Sequence, residues 1–308
     1  MEKVFIPQRA DPCVLRWDGW YYFTASVPAF DCIELRRART LAELPEAPAR
    51  VVWRRHETGP LSMNIWAPEI HRVDGQWVIY FAAAQADADE AGCYDHRIYA
   101  LTCGDENPVE GAWQEAGQIR TGWESFALDA TTAVIGGVRY FIWAQRDFRI
   151  PGNSNLYIAE MADFRTLKLP AVRLSVPEYD WECRGFLVNE GPSVLQHGGR
   201  VFITYSASAT DERYAMGLLT LKAGGHPLRR EDWEKSPVPV MVSEPENGLF
   251  GPGHNSFTVD EAGNDLLVFH ARPYPGFHGT ALSDPNRHAF LRRVRWRADG
   301  TPVFQGEI

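Results

Sequence analysis

No stretch of this 308-residue sequence is apolar and long enough to cross a bilayer as a helix. None holds a helical period for long, which excludes a helix bundle. Positive charge is in short supply. Against 40 Asp and Glu stand 31 Lys and Arg, a net charge of −9, which argues against a nucleic-acid partner, since such binders are basic. The first residues, Met1-Glu2-Lys3-Val4-Phe5-Ile6-Pro7, lack the apolar core of a secretory signal. Cysteine is scarce and odd in number: Cys13, Cys32, Cys93, Cys103 and Cys183, with no metal-ligand spacing among them. Together these features predict free, mostly buried thiols and a cytoplasmic location. What is plentiful is aromatic: 11 Trp, 11 Tyr and 16 Phe in a chain that is 45% apolar, a composition that favours strands around a sizeable core.

The aromatic residues fall into a repeated pattern. A polar or small head is followed by a short apolar run, a Gly turn, and a β-branched and aromatic run. Asp11-Pro12-Cys13-Val14-Leu15 turns at Asp18-Gly19 into Trp20-Tyr21-Tyr22-Phe23, and Trp66-Ala67-Pro68-Glu69-Ile70 turns at Asp74-Gly75. Asp129-Ala130-Thr131-Thr132 turns at Gly136-Gly137, Asn189-Glu190-Gly191-Pro192 at His197-Gly198-Gly199, and His254-Asn255-Ser256-Phe257 at Ala262-Gly263. Each unit reads as a β-hairpin. The heads recur roughly every 60 residues, with room for two further strands per unit. The expectation is all-β: a single-domain five-bladed propeller over residues 1–308, with blades near 11–60, 61–125, 126–185, 186–247 and 248–308. Phe290 to Trp296 reads as one alternating last strand, and the segment before Asp11 is expected to close the ring on the last blade. Gln85 to Asp95, with Gly92, reads as a loop.

In a propeller the first strand of each blade lies nearest the axis. The heads therefore meet at one end of the channel, and Asp11, Asp129, Glu190 and His254 should surround one opening. Taken singly, Asp before Pro is a common turn residue and a lone His is most often a core residue. Several carboxylates in one place are costly, because repulsion and desolvation both oppose ionisation, and they are better explained as an acid/base set. One protonated and one ionised carboxyl across a pocket are what glycoside hydrolysis needs. Asp11 and Glu190 come from opposite blades, leaving room for a water; inverting enzymes hold the pair about 6.5–9.5 Å apart.

The matching stretches are Ala10-Asp11-Pro12 with Gly19-Trp20-Tyr21-Tyr22, Trp66-Ala67-Pro68-Glu69, Leu128-Asp129-Ala130, Asn189-Glu190-Gly191-Pro192, and Gly251-Pro252-Gly253-His254-Asn255-Ser256 with Phe269-His270-Ala271-Arg272. In this order and at this spacing the sequence closely resembles glycoside hydrolase family 43. The resemblance implies a five-bladed propeller that hydrolyses arabinosides or xylosides with inversion. It implies Asp11 as general base, Glu190 as general acid and Asp129 as the residue that tunes the acid. It also implies His254 beside an axial calcium or sodium ion, with no organic cofactor, and Arg272 as a sugar contact. Trp66 is a candidate sugar-stacking residue. The ion is expected to be held largely through water, since no dense set of oxygen ligands is visible, and if it supports catalysis activity should fall on chelation. Trp181-Glu182, Tyr205-Ser206-Ala207-Ser208 and His270-Ala271-Arg272 look like the α-L-arabinofuranosidase branch, including exo-acting enzymes on α-1,5-arabinan. The β-xylosidase branch usually carries a further C-terminal sandwich, for which this sequence has no room. A small arabino- or xylo-oligosaccharide is thus the expected partner. The competing readings are another family 43 hydrolase, a fructosidase, an anhydrogalactosidase and a non-catalytic sugar-binding propeller. Retention of all three acids speaks against the last, and Ala10-Asp11-Pro12-Cys13 in place of Asn-Asp-Pro-Asn speaks against a fructosidase.

Overall fold

The computed structural model describes residues 2–90 and 93–306, so Gly92 of the Gln85–Asp95 loop lies outside the described residues. Four sheets have four antiparallel strands each. Blade one comprises β1 (Ala10–Trp17), β2 (Trp20–Ser26), β3 (Cys32–Ala38) and β4 (Arg50–Arg54). Blade two comprises β5 (Met63–Val73), β6 (Gln76–Ala84), β7 (Arg97–Cys103) and β8 (Gln114–Gln118). Blade three comprises β9 (Ala127–Ile135), β10 (Val138–Gln145), β11 (Asn155–Met161) and β12 (Leu167–Ser175). Blade four comprises β13 (Asn189–His197), β14 (Arg200–Ala207), β15 (Ala215–Leu221) and β16 (Trp233–Lys235). Blade five comprises β17 (Phe250–Val259), β18 (Asp265–Arg272) and β19 (His288–Arg293). The N-terminal segment completes the ring as expected: Ile6 and Ala289 exchange backbone hydrogen bonds of 3.2 and 2.9 Å. The expected last strand is instead broken. Val294 turns its N–H to the Asp265 carbonyl, and β20 (Arg295–Trp296) leaves to pair with β21 (Pro302–Val303).

The hairpin signals have a simple cause. Asp18-Gly19, Asp74-Gly75, Gly136-Gly137 and Gly198-Gly199 all hold two consecutive positive φ angles, the two-residue turn whose twist matches that of the strands. The second strand of each hairpin is apolar at nearly every position, because both of its faces are buried and its side chains alternate between them. In β10, Tyr140, Ile142 and Ala144 pack against Ile203 and Tyr205 of blade four, while Phe141 and Trp143 pack against Val78 and Tyr80 of blade two. In β18, Leu267 and Phe269 meet Phe202 of blade four, and Val268 meets Phe23 of blade one. The core is thus a set of seams between blades.

One seam holds a buried ion pair. The Glu182 carboxylate is fully buried and Lys235 nearly so, with Nζ donating over 2.8 Å. Glu182 also accepts from Tyr205 (2.8 Å), from Asn189 Nδ2 (3.0 Å) and from the backbone N–H groups of Glu178 and Tyr179 (2.9 Å each). This set anchors the first residue of β13. Lys235→Ala strands a buried charge and is expected to cost about 3–5 kcal/mol, read as a lower denaturation midpoint; an unchanged midpoint would show the pair to be dispensable.

Candidate active site

At the head of every inner strand the β-ladder slips. The register breaks between Ala10 and Cys13, Trp66 and Glu69, Glu190 and Ser193, and Gly253 and Ser256, and in β10 opposite Leu128 to Thr131. One residue in each slip takes a left-handed backbone: Asp11 (φ 54°), Ala67 (46°), Asp129 (54°), Gly191 (53°) and His254 (39°). For a residue other than Gly this conformation carries strain, and it persists only where the surroundings enforce it. Here the enforcing contacts come from neighbouring blades. The Asp11 N–H donates to His270 Nδ1 (3.0 Å), the Ala67 N–H to Ser26 Oγ (2.8 Å), the Gly191 N–H to Asp129 Oδ2 (3.0 Å) and the His254 N–H to Ser206 Oγ (2.8 Å). The contacts that join the blades therefore also aim the side chains at the axis.

Asp11, Asp129 and His254 fill the inner ring, where Ala67 and Gly191 leave space. A Cβ on Gly191 would lie 3.1 Å from the His254 ring. Glu190 stands one residue earlier, at the position Trp66 occupies in blade two, and so belongs to a second ring around the opening. All four polar residues line one cavity of about 420 Å³, walled by Trp66, Tyr94, Phe126, Leu128, Phe186 and Leu282. That volume suits a small ligand.

The carboxyl groups differ in environment. Ser26 donates to Asp11 Oδ2 at 2.5 Å, and His254 Nδ1, His270 Nδ1 and Arg287 Nη1 lie 3.3, 3.3 and 3.7 Å from Oδ1. Burial alone would raise the Asp11 pKa, but the charges of His254 and Arg287 outweigh it and hold the group far below the usual carboxylate range. Glu190 is pushed the other way, to about 7, first by burial and then by the charge of Asp129, with the Tyr214 hydroxyl at 2.7 Å opposing the rise. Burial also raises Asp129, where His254 opposes and Asp11 adds to the shift. Burial works against the His254 cation, yet Asp129, Asp11 and Glu190 prevail and raise its pKa. His270 is lowered to about 4 by burial and is neutral, consistent with its Nδ1 accepting a hydrogen bond. At neutral pH the cavity thus holds an ionised Asp11 facing a protonatable Glu190, the separation of roles that acid/base chemistry requires.

Trp66 lines the cavity, with its indole stacked on His96 at 4.0 Å between ring centres. Arg272 departs from expectation. It is buried behind the wall, its guanidinium donating to the carbonyls of Thr210 (2.6 Å) and Ala281 (3.0 Å), two residues that do line the cavity. The arginine in the cavity is Arg287, from the long loop between β18 and β19. Arg287, Tyr214, Ser26 and His270 escaped the sequence reading. Only His270 lay in a quoted motif, and it carried no assigned role. For the implied calcium or sodium ion, His254 turns Nδ1 toward Asp11 and Asp129. Among the described residues, no three His, Cys, Asp or Glu side chains are grouped to hold a metal directly. Hard cations take six or more oxygen ligands, so this donor set does not fit direct coordination, and no step below runs through a metal.

The chain is 48% identical over 299 residues to an extracellular exo-alpha-(1->5)-L-arabinofuranosidase of Streptomyces avermitilis, covering 96% of this chain and 61% of that protein. It is 50% identical over 275 residues to a protein of the same name from Streptomyces chartreusis, covering 89% of this chain and 83% of that protein. The chain therefore spans about 61% of the length of the first of these relatives. The crystal structure of an alpha-L-arabinofuranosidase from Lactobacillus brevis superposes with a TM-score of 0.96 at 50% identity, covering 100% of this chain and 97% of that one. The cytoplasmic expectation is overturned: both Streptomyces relatives are named extracellular. Its premise was weak in physical terms. The five thiols are unpaired and four are buried, but a sequestered thiol does not report its compartment. The family model for glycosyl hydrolases family 43 matches residues 1–302, and the fold and the identities agree with it: the chain belongs to that family.

Proposed function

We propose that the chain is an inverting glycoside hydrolase that releases terminal α-L-arabinofuranose from arabino-oligosaccharides, acting on α-1,5 linkages from the chain end. The observation that carries this reading is the opposed setting of two carboxyl groups in one cavity, Asp11 held ionised and Glu190 held protonatable. The relatives' names support the sugar and linkage.

In this reading the arabinofuranosyl ring lies over the inner ring of residues, with its glycosidic oxygen toward Glu190. Glu190 gives its proton to that oxygen as the bond to the anomeric carbon breaks. Asp11 takes a proton from a water, whose oxygen attacks the opposite face of the same carbon. Asp129 accepts the N–H of Gly191, the peptide next to Glu190, so it fixes the acid's backbone while its charge opposes ionisation of the acid. Arg287 lies beside Asp11 and keeps the base ionised. The first-formed sugar should be the β-anomer of arabinofuranose, seen by proton NMR before mutarotation. Early appearance of the α-anomer would overturn the single-displacement mechanism.

A further inference from the structure

Tyr214 stands at the end of the loop before β15 and is absent from every motif above. Its hydroxyl donates to Glu190 Oε1 at 2.7 Å. The ring is fully enclosed and held on several sides. It lies parallel to the His270 ring, 5.8 Å between centres and 7° between planes. Gly253 leaves its Cα against the ring, and a Cβ there would come within 2.4 Å of Tyr214 Cε1. The Tyr214 N–H donates to the Asp211 carbonyl (3.1 Å), and a Cβ on Gly251 would fall 2.1 Å from that same carbonyl. Arg272 grips the loop through the Thr210 carbonyl, and Asp211 pairs with Arg213. The two glycines of Phe250-Gly251-Pro252-Gly253 thus make room for one tyrosine, and Arg272 secures the loop that carries it.

We propose that Tyr214 is a positioning residue for the general acid: its O–H holds Oε1 of Glu190, leaves the other oxygen to carry the proton, and binds the carboxylate more tightly as that proton departs. The proposal rests on Glu190 being the acid. A hydrogen bond to a neutral carboxyl becomes charge-assisted once the carboxyl ionises, and such bonds are about twice as strong. Its contribution therefore grows along the reaction, the only kind of contact that speeds a chemical step. The other charged or titratable groups facing Glu190 are Asp129 from β9, Asp11 from β1 and His254 from β17. Of these, His254 alone joins Tyr214 in favouring the ionised acid.

Tyr214→Phe removes only the oxygen, retaining the ring and its packing. On an unactivated α-1,5-arabinobiose, kcat should fall about 10- to 100-fold, the worth of one hydrogen bond to a charged group, with KM little changed. On a dinitrophenyl arabinofuranoside, which needs little protonation, turnover should change far less. The alkaline limb of kcat/KM should move to higher pH, because the ionised acid has lost a donor. Gly253→Ala displaces the ring by another route and should reproduce the leaving-group dependence. Equal losses on both substrates with an unmoved limb would reduce Tyr214 to packing and overturn the proposal. The control is Glu190→Gln. If that variant shows no leaving-group dependence, the acid assignment fails and this proposal with it; if it does while Tyr214→Phe does not, Tyr214 alone is overturned.

Discussion

Asp11→Ala is expected to stop turnover on poor and activated substrates alike, because neither can react without an activated water. Loss of a general base is worth about two to four orders of magnitude. Two features of the site sharpen the test. Asp11 lies in a left-handed backbone that Asn also tolerates, so Asp11→Asn keeps the local fold and isolates the loss of the base. The alanine variant vacates space beside His254 and Arg287, both of which favour an anion there. Azide should therefore restore turnover on an activated aryl arabinofuranoside, with β-arabinofuranosyl azide as product. Steady-state rates with and without azide, and NMR of the product, check this. An Asp11→Asn variant with normal turnover would remove Asp11 from the chemistry.

The fold was legible where local chemistry is coercive. Asp-Gly and Gly-Gly pairs supply the two positive φ angles of a tight hairpin, and strands buried on both faces read as unbroken apolar runs. The outer strands gave little signal. Arg50–Arg54 and Gln114–Gln118 lie at exposed edges where almost any residue serves, and Trp233–Lys235 has three residues. The acids were legible because repetition put them at the heads of the units, but Glu190 does not share the position of Asp11, Asp129 and His254. The equivalent residue is Gly191. The signal was in the sequence: Asp11, Ala67, Asp129 and Gly191 each stand seven positions before the first turn residue, Asp18, Asp74, Gly136 and Gly198. That offset by one matters, because it moves the acid out of the inner ring and against the Tyr214 hydroxyl. Arg287 and Tyr214 were illegible for a different reason. They sit in or beside loops without period, where only the folded path of the chain decides that Arg287 faces the cavity and Arg272 the loop behind it.

Glu190→Gln should divide substrates by their leaving groups. With arabino-oligosaccharides the departing alkoxide must be protonated, and loss of the acid should cost about two to four orders of magnitude. With a dinitrophenolate the bond breaks unaided and the loss should be small. The pH profile gives an independent check. Burial and Asp129 raise the Glu190 pKa to about 7, so the acid is protonated and active below that value, and activity on oligosaccharides should fall as pH rises through it. Asp11 lies far lower, so the acid limb should fall well below the ordinary carboxylate range. In Glu190→Gln the alkaline limb should vanish. In Asp129→Asn a negative neighbour is removed, Glu190 ionises more readily, and the limb should move to lower pH while sugar binding persists. A limb that stays in place in Glu190→Gln would belong to another group, and Asp129→Asn shifting it upward would reverse the sign of the coupling on which the assignment of Asp129 depends.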